Sequence, residues 1–166
     1  KAVKKDQKAR NAKDENRAEQ DDEGYYWEKN KEFFDQLKRS SMDEADYYFN
    51  EDNFSKAASS YSKILKWDSE DENILMITAA CYYLSKNTGQ GKITLEQAIK
   101  LIKDNYSDED YDGSEVSMPA LEDGVRAYTN YLIDSGDKEG AKAFMNEIYE
   151  SLSWNESIRS QKRNLE

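Results

Sequence analysis

Histidine is absent from this chain of 166 residues, cysteine and proline occur once each, and glycine seven times. Each shortage excludes something. Without histidine there can be no Ser-His-Asp or Cys-His arrangement and no imidazole acid–base catalysis, and most zinc sites are out of reach. The single cysteine, Cys81, can form neither an internal disulfide nor a cysteine-rich zinc site. Standing between Ala80 and Tyr82, it reads as a small buried side chain, and it leaves the redox compartment open. One proline and few glycines favour long uninterrupted helices over a turn-rich β fold. No stretch approaches the ~20 apolar residues of a membrane span, and no signal-peptide hydrophobic segment is present. The chain opens on Lys1 rather than Met, as a fragment or a processed product would.

Charge, by contrast, is abundant. Acidic residues number 35 and basic ones 24, a net charge of −11. Residues 1–23 hold basic and acidic side chains in equal number, so the whole excess lies on residues 24–166. An acidic body repels phosphate, which argues against nucleic acid or an anionic membrane as the main partner. The carboxylates stand in runs along polar faces rather than in isolated pairs. These features together argue against an enzyme, and no catalytic residue, cofactor or metal site is expected.

Apolar residues concentrate between positions 25 and 152, so that is where a core can form. Residues 1–23 have no apolar face and read as a charged arm, either solvated or held by another chain. From Tyr25 the pattern changes: Tyr26, Trp27, Phe33, Phe34 and Leu37 recur at helical spacing. The spacing predicts a helix over 24–39, packed against a first helical hairpin that begins near residue 41.

From that point the sequence repeats itself. Met42, Ala45, Tyr48 and Phe49 are matched 34 positions later by Met76, Ala79, Tyr82 and Tyr83. A second pattern, Phe54, Ala57, Tyr61, Ile64 and Leu65, is matched by Leu95, Ala98, Ile102, Asn105 and Tyr106 at an offset of 41. Lys138, Ala141, Met145, Ile148 and Tyr149 supply a third set. The unequal offsets imply insertions in the Lys86–Lys92 turn and in the loop 107–118. Ser69 with Glu72, and Thr94 with Gln97, are capping-box candidates. Pro119 suits a helix start, and Gly136–Asp137 a turn. Three helical hairpins result, over about 41–66, 70–106 and 119–152.

These residues resemble the tetratricopeptide repeats, most closely over residues 44–71 and again over 132–150. The resemblance covers about 41–152. It departs from the family at Ser69, where proline is usual, and at Thr129, where a small residue is. The expectation is an all-α, α-α superhelix, a solenoid of about three hairpins with an N-terminal packing helix and a polar arm. Its units are the arm at 1–23, the repeat domain at 24–152 and a capping or tail segment at 153–166, beginning near Trp154.

The resemblance implies a concave groove lined by the first helix of each hairpin. Here that surface would be Met42, Asp46, Phe49 and Asn50 from the first unit, Met76, Ala80 and Tyr83 from the second, and Arg126, Asn130 and Ile133 from the third. Aromatic and thioether walls with one basic end suit a partner protein's helix or extended segment. Met42 and Asp46 do not make the basic clamp that some members of the family use for acidic chaperone tails. The function implied is a scaffold or adaptor; the alternatives are a structural subunit docked through the arm, and a module binding calcium or a small ligand.

Two motifs are weaker. Asp108, Asp110, Asp112 and Gly113 open like a calcium loop, but Glu115 stands where an apolar residue belongs and Pro119 where the bidentate acid belongs, with Glu122 displaced by a turn. Thr88–Thr94 faintly resembles a phosphate loop, lacks its first glycine and a preceding strand, and reads as a turn.

Overall fold

A computed structural model describes residues 21–106 and 117–166, with side chains from Asn30 onward. Among the described residues the fold is all-α, with seven helices and no strand. They are α1 (Asp21–Asn50), α2 (Phe54–Leu65), α3 (Glu72–Leu84), α4 (Thr88–Tyr106), α5 (Pro119–Asp134), α6 (Lys138–Leu152) and α7 (Glu156–Leu165).

The first departure from the sequence reading is α1. The helix expected over 24–39 does not end there, but runs unbroken into the first hairpin as a helix of 30 residues. No glycine or proline stands between Tyr25 and Asn50 to stop it. Residues 21–23 belong to this helix, and the rest of the charged arm lies outside the described residues. Phe34 is buried, its ring 6.5 Å from that of Trp67 in the α2–α3 connection. Lys38 reaches Asp71 at 3.2 Å.

Three hairpin turns share one hydrogen-bond pattern. After α1, Asp52 takes a left-handed φ of 58°, and Asn53 N–H returns to Tyr48 C=O at 2.8 Å. After α3, Lys86 takes 66°, and Asn87 N–H returns to Tyr82 C=O at 2.8 Å. After α5, Gly136 takes 86°, and Asp137 N–H returns to Leu132 C=O at 2.8 Å. In each case the next helix begins at once, and four residues on a small buried residue appears: Ala57, Gly91 and Ala141.

This pattern corrects the alignment of the second helices. Unit two succeeds unit one at a constant 34 residues through the turn, so nothing is inserted at Lys86–Lys92. The residues Thr88–Thr94 are the opening turns of α4, not a loop, and Thr94 is no cap: its hydroxyl donates to Gln90 C=O at 2.8 Å inside the helix. Leu95 therefore answers Tyr61, and Gly91 answers Ala57. The offset of 41 matches residues one heptad late, and a heptad shift returns a helical pattern to nearly the same face. The surplus length lies at the C-terminal end of α4, which has 19 residues against 12 in α2.

Caps complete the ends. The α3 cap is Asp71 rather than Ser69, its carboxylate accepting from Asn73 and Ile74 N–H at 3.1 and 3.2 Å. Pro119 opens α5, where Glu122 accepts from Met118 N–H at 2.7 Å. Asn53, Asp137 and Asn155 cap α2, α6 and α7 through their side chains.

The core is organised around α3. Every residue from Ile74 to Cys81 is buried, because α2, α4 and α5 all pack against this helix. Ile74, Ile77 and Cys81 join a cluster with Ala45, Ala57, Ala58, Tyr61 and Ile64. Leu75, Met76 and Ala79 join a larger one with residues of α4 to α7. The α3–α5 crossing is close at Gly124, where a Cβ would sit 2.7 Å from the Ile77 backbone nitrogen. The C-terminal segment folds as α7, with Ile158 wholly buried and Gln161 donating to Glu122 C=O at 3.2 Å.

Candidate functional site

The structure sorts the ten expected groove residues into three groups. Asp46 and Asn50 on α1, and Arg126 and Asn130 on α5, are exposed. Met42, Phe49, Tyr83 and Ile133 are half-buried. Met76 and Ala80 have no exposed surface at all. They are core residues, so an open groove cannot run across the middle unit through them. The cause is that α3 is covered on several sides, with α5 brought onto it through Gly124.

Around Asp46 the geometry is specific. The buried Tyr61 on α2 donates its hydroxyl to Asp46 Oδ1 at 2.5 Å. Burial first, then the Asp46 hydrogen bond and charge, hold the Tyr61 hydroxyl far above its ordinary range; Cys81 and Asp123 push the same way. Asp123 on α5 thus acts electrostatically on a residue of the first hairpin. Its own partner is Arg126, whose guanidinium lies 2.9 Å from Asp123 Oδ1 and 3.5 Å from Ser157 Oγ on α7. The basic end expected from Arg126 is therefore partly neutralised by Asp123.

At the far end of α3, Tyr83 lies against the backbone of Gly91, where a Cβ would come within 2.8 Å of the ring. Its ring centroid is 4.8 Å from Tyr128 and 5.3 Å from Tyr131, both on α5, and Tyr128 meets Phe144 edge-on at 4.7 Å. Burial raises the pKa of the Tyr83 and Tyr128 hydroxyls, which also bond to each other. This aromatic corner presents Tyr131 half-open to solvent. Sequence reasoning missed Tyr128, Tyr131 and Asp123. The two tyrosines were findable as a pair flanking Thr129 and Asn130; Asp123 gave no sequence signal beyond its place on a polar face.

A cleft of about 360 Å³ opens between α6 and α7, lined by Lys142, Met145, Asn146, Lys162, Leu165 and Glu166. Lys162 is engaged there, 2.9 Å from Glu166 and over the Tyr149 ring. The Asp108–Gly113 calcium motif and Glu115 lie outside the described residues. Glu122 is used as the acceptor for Met118 N–H. Among the described residues, no three His, Cys, Asp or Glu side chains gather in a way that could hold a metal ion, and no helix is long and apolar enough to cross a membrane.

No protein-family model matches the chain, and neither does any curated protein or solved structure.

Proposed function

We propose that the chain is a three-hairpin repeat of tetratricopeptide type that serves as a protein-binding scaffold. The repeat reading is supported by the three like turns at Asp52, Lys86 and Gly136, after each of which an N–H returns to the carbonyl five positions back. The binding reading rests chiefly on one observation. Asp46 on α1 and Asn130 on α5 stand at repeat-equivalent positions and are exposed, as are Asn50 and Arg126 on the same two helices, whereas α3 is buried from Ile74 to Cys81.

This leaves polar residues on α1 and α5 accompanied by half-buried aromatic and aliphatic side chains: Phe49 on α1, Tyr83 on α3, and Tyr131 and Ile133 on α5. Such a surface is shallow. It fits a helix or extended segment laid across it, anchored by a few large apolar side chains and oriented by polar ones at the rim. A small metabolite would need deeper enclosure than this surface gives.

The test is cross-linking capture from the native source with the intact chain and an Asn50→Arg/Asn130→Arg variant in parallel. Both positions are exposed, so helicity and melting temperature should not change. A partner held by the intact chain and lost by the variant is the expected result. The same neighbours captured in equal yield by both proteins would overturn this surface as the binding site.

A further inference from the structure

Three large apolar side chains are strongly exposed among the described residues, and two of them share α1: Phe33 at 56% and Tyr47 at 61%. Each stands seven residues from Ser40, one before it and one after. At 3.6 residues per turn, a separation of two heptads keeps both rings on one stripe, with Ser40 at its midpoint. Ser40 is small and exposed, and Phe34, Ser41 and Ala45 mark a different, buried face.

Charge on the flank of this stripe is arranged to match. Arg39 and Asp43 are both exposed, and neither forms an ion pair with another described residue; the α1 ion pairs belong to Lys38 and Glu44. A helix laid antiparallel over Ser40 would place Phe33 of one copy against Tyr47 of the other, twice. It would also bring Arg39 of each copy alongside Asp43 of its neighbour on the same flank. A two-fold axis through Ser40 satisfies both sets at once, and a serine at the crossing lets the helices approach to ordinary packing distance. The two ends of the molecule also differ: α7 closes the C-terminal end over Ile158, while α2 is the main neighbour of α1 and leaves this stripe open.

We infer that α1 is a self-association surface, and that its occupant is a second copy of this chain, docked antiparallel about Ser40. The stripe adjoins the α1 residues assigned to partner binding, Asp43 standing three residues before Asp46 on the same helix, but the inference does not depend on that assignment.

The experiment is sedimentation equilibrium of the whole chain over a wide concentration range at physiological salt, paired with disulfide trapping. A reversible dimer is expected. Phe33→Glu with Tyr47→Glu, both at exposed sites, should weaken it by roughly tenfold or more while helicity is kept. Ser40→Cys should oxidise to a covalent dimer, because two helices in contact bring such positions within disulfide range. Asp35→Cys, exposed on another side of α1, should not, and Cys81 is buried out of reach. A chain that stays monomeric throughout, a dimer indifferent to the double variant, or Ser40→Cys bridging no faster than Asp35→Cys would each overturn the proposal. The monomeric outcome would assign the stripe to the chain's own preceding residues or to an unlike partner.

Discussion

The hydroxyl of Tyr61 donates a 2.5 Å hydrogen bond to Oδ1 of Asp46, joining the buried face of α2 to the solvent edge of α1. The donor has no exposed surface, and the acceptor is open to water. Removing the two partners therefore has unequal consequences. Tyr61→Phe leaves a carboxylate that water can solvate, so only the net value of a hydrogen bond to a charged group is lost, about 1.5–3 kcal/mol at most. Asp46→Ala leaves the buried hydroxyl without its acceptor and should cost more. Urea unfolding of the two variants checks the order; an equal or reversed cost would mean that water already satisfies the hydroxyl.

Two glycines in helices should respond oppositely to alanine. At Gly124 the added carbon would meet the α3 backbone at 2.7 Å, and backbone cannot swing aside as a side chain can. Gly124→Ala should be destabilising by ~1–3 kcal/mol, even after the helix-propensity gain of up to ~1 kcal/mol. At Gly89 nothing lies within 4 Å, so Gly89→Ala should keep that gain, at the reduced value of a first-turn position. Thermal unfolding of the pair distinguishes them, and a stabilised Gly124→Ala would mean that the α3–α5 crossing is looser than this.

Alkaline pH should unfold the protein through groups that burial keeps protonated. Cys81 is raised from 9.0 to about 12, and the Tyr61 and Tyr128 hydroxyls are raised above 10.0, in all three cases chiefly by desolvation. Each loses its proton more readily in the unfolded chain, so the unfolded state binds fewer protons as pH rises. Stability from Cys81 is complete below about pH 9 and falls between there and about 12, with a limiting slope of ~1.4 kcal/mol per pH unit. The tyrosines add to the fall above about pH 10. Urea midpoints at about pH 8, 9 and 10 should decline for the native chain, and less steeply for Cys81→Ala. Parallel profiles would exclude the thiol as the cause.

The sequence showed the hairpins and misplaced one register. Met42, Ala45, Tyr48 and Phe49 found their true counterparts because a rare combination of large and small side chains recurred in order. The second helices were ambiguous, since Leu95 and Ala98 fall on almost the same face as their correct register one heptad earlier. The register is decided by the main-chain turn at Lys86 and Asn87, whose positive φ falls on a residue with no special preference for it. The continuity of α1 was hidden by the change from an aromatic to a mixed stripe near Arg39, although no helix-breaking residue stood there. Burial of Met76 and Ala80 was hidden too. It depends on Gly124 in a helix more than 40 positions away, and a glycine inside a helical pattern was the available signal of close approach. On α1 and α5 the expected site residues are exposed or half-buried; on α3 Met76 and Ala80 are inside.

The burial of α3 from Ile74 to Cys81 bears on how this protein can vary over time. In an ideal linear array, units can be added or removed, because each is stabilised by its immediate neighbours through equivalent contacts. Here one helix supplies side chains to both clusters and owes its solubility to three others. Loss of the third hairpin would uncover α3 where Gly124 now lies against Met76 and Ile77, and loss of the first would uncover Ile74, Ile77 and Cys81. Removing a hairpin from either end therefore disturbs the one helix that both clusters share.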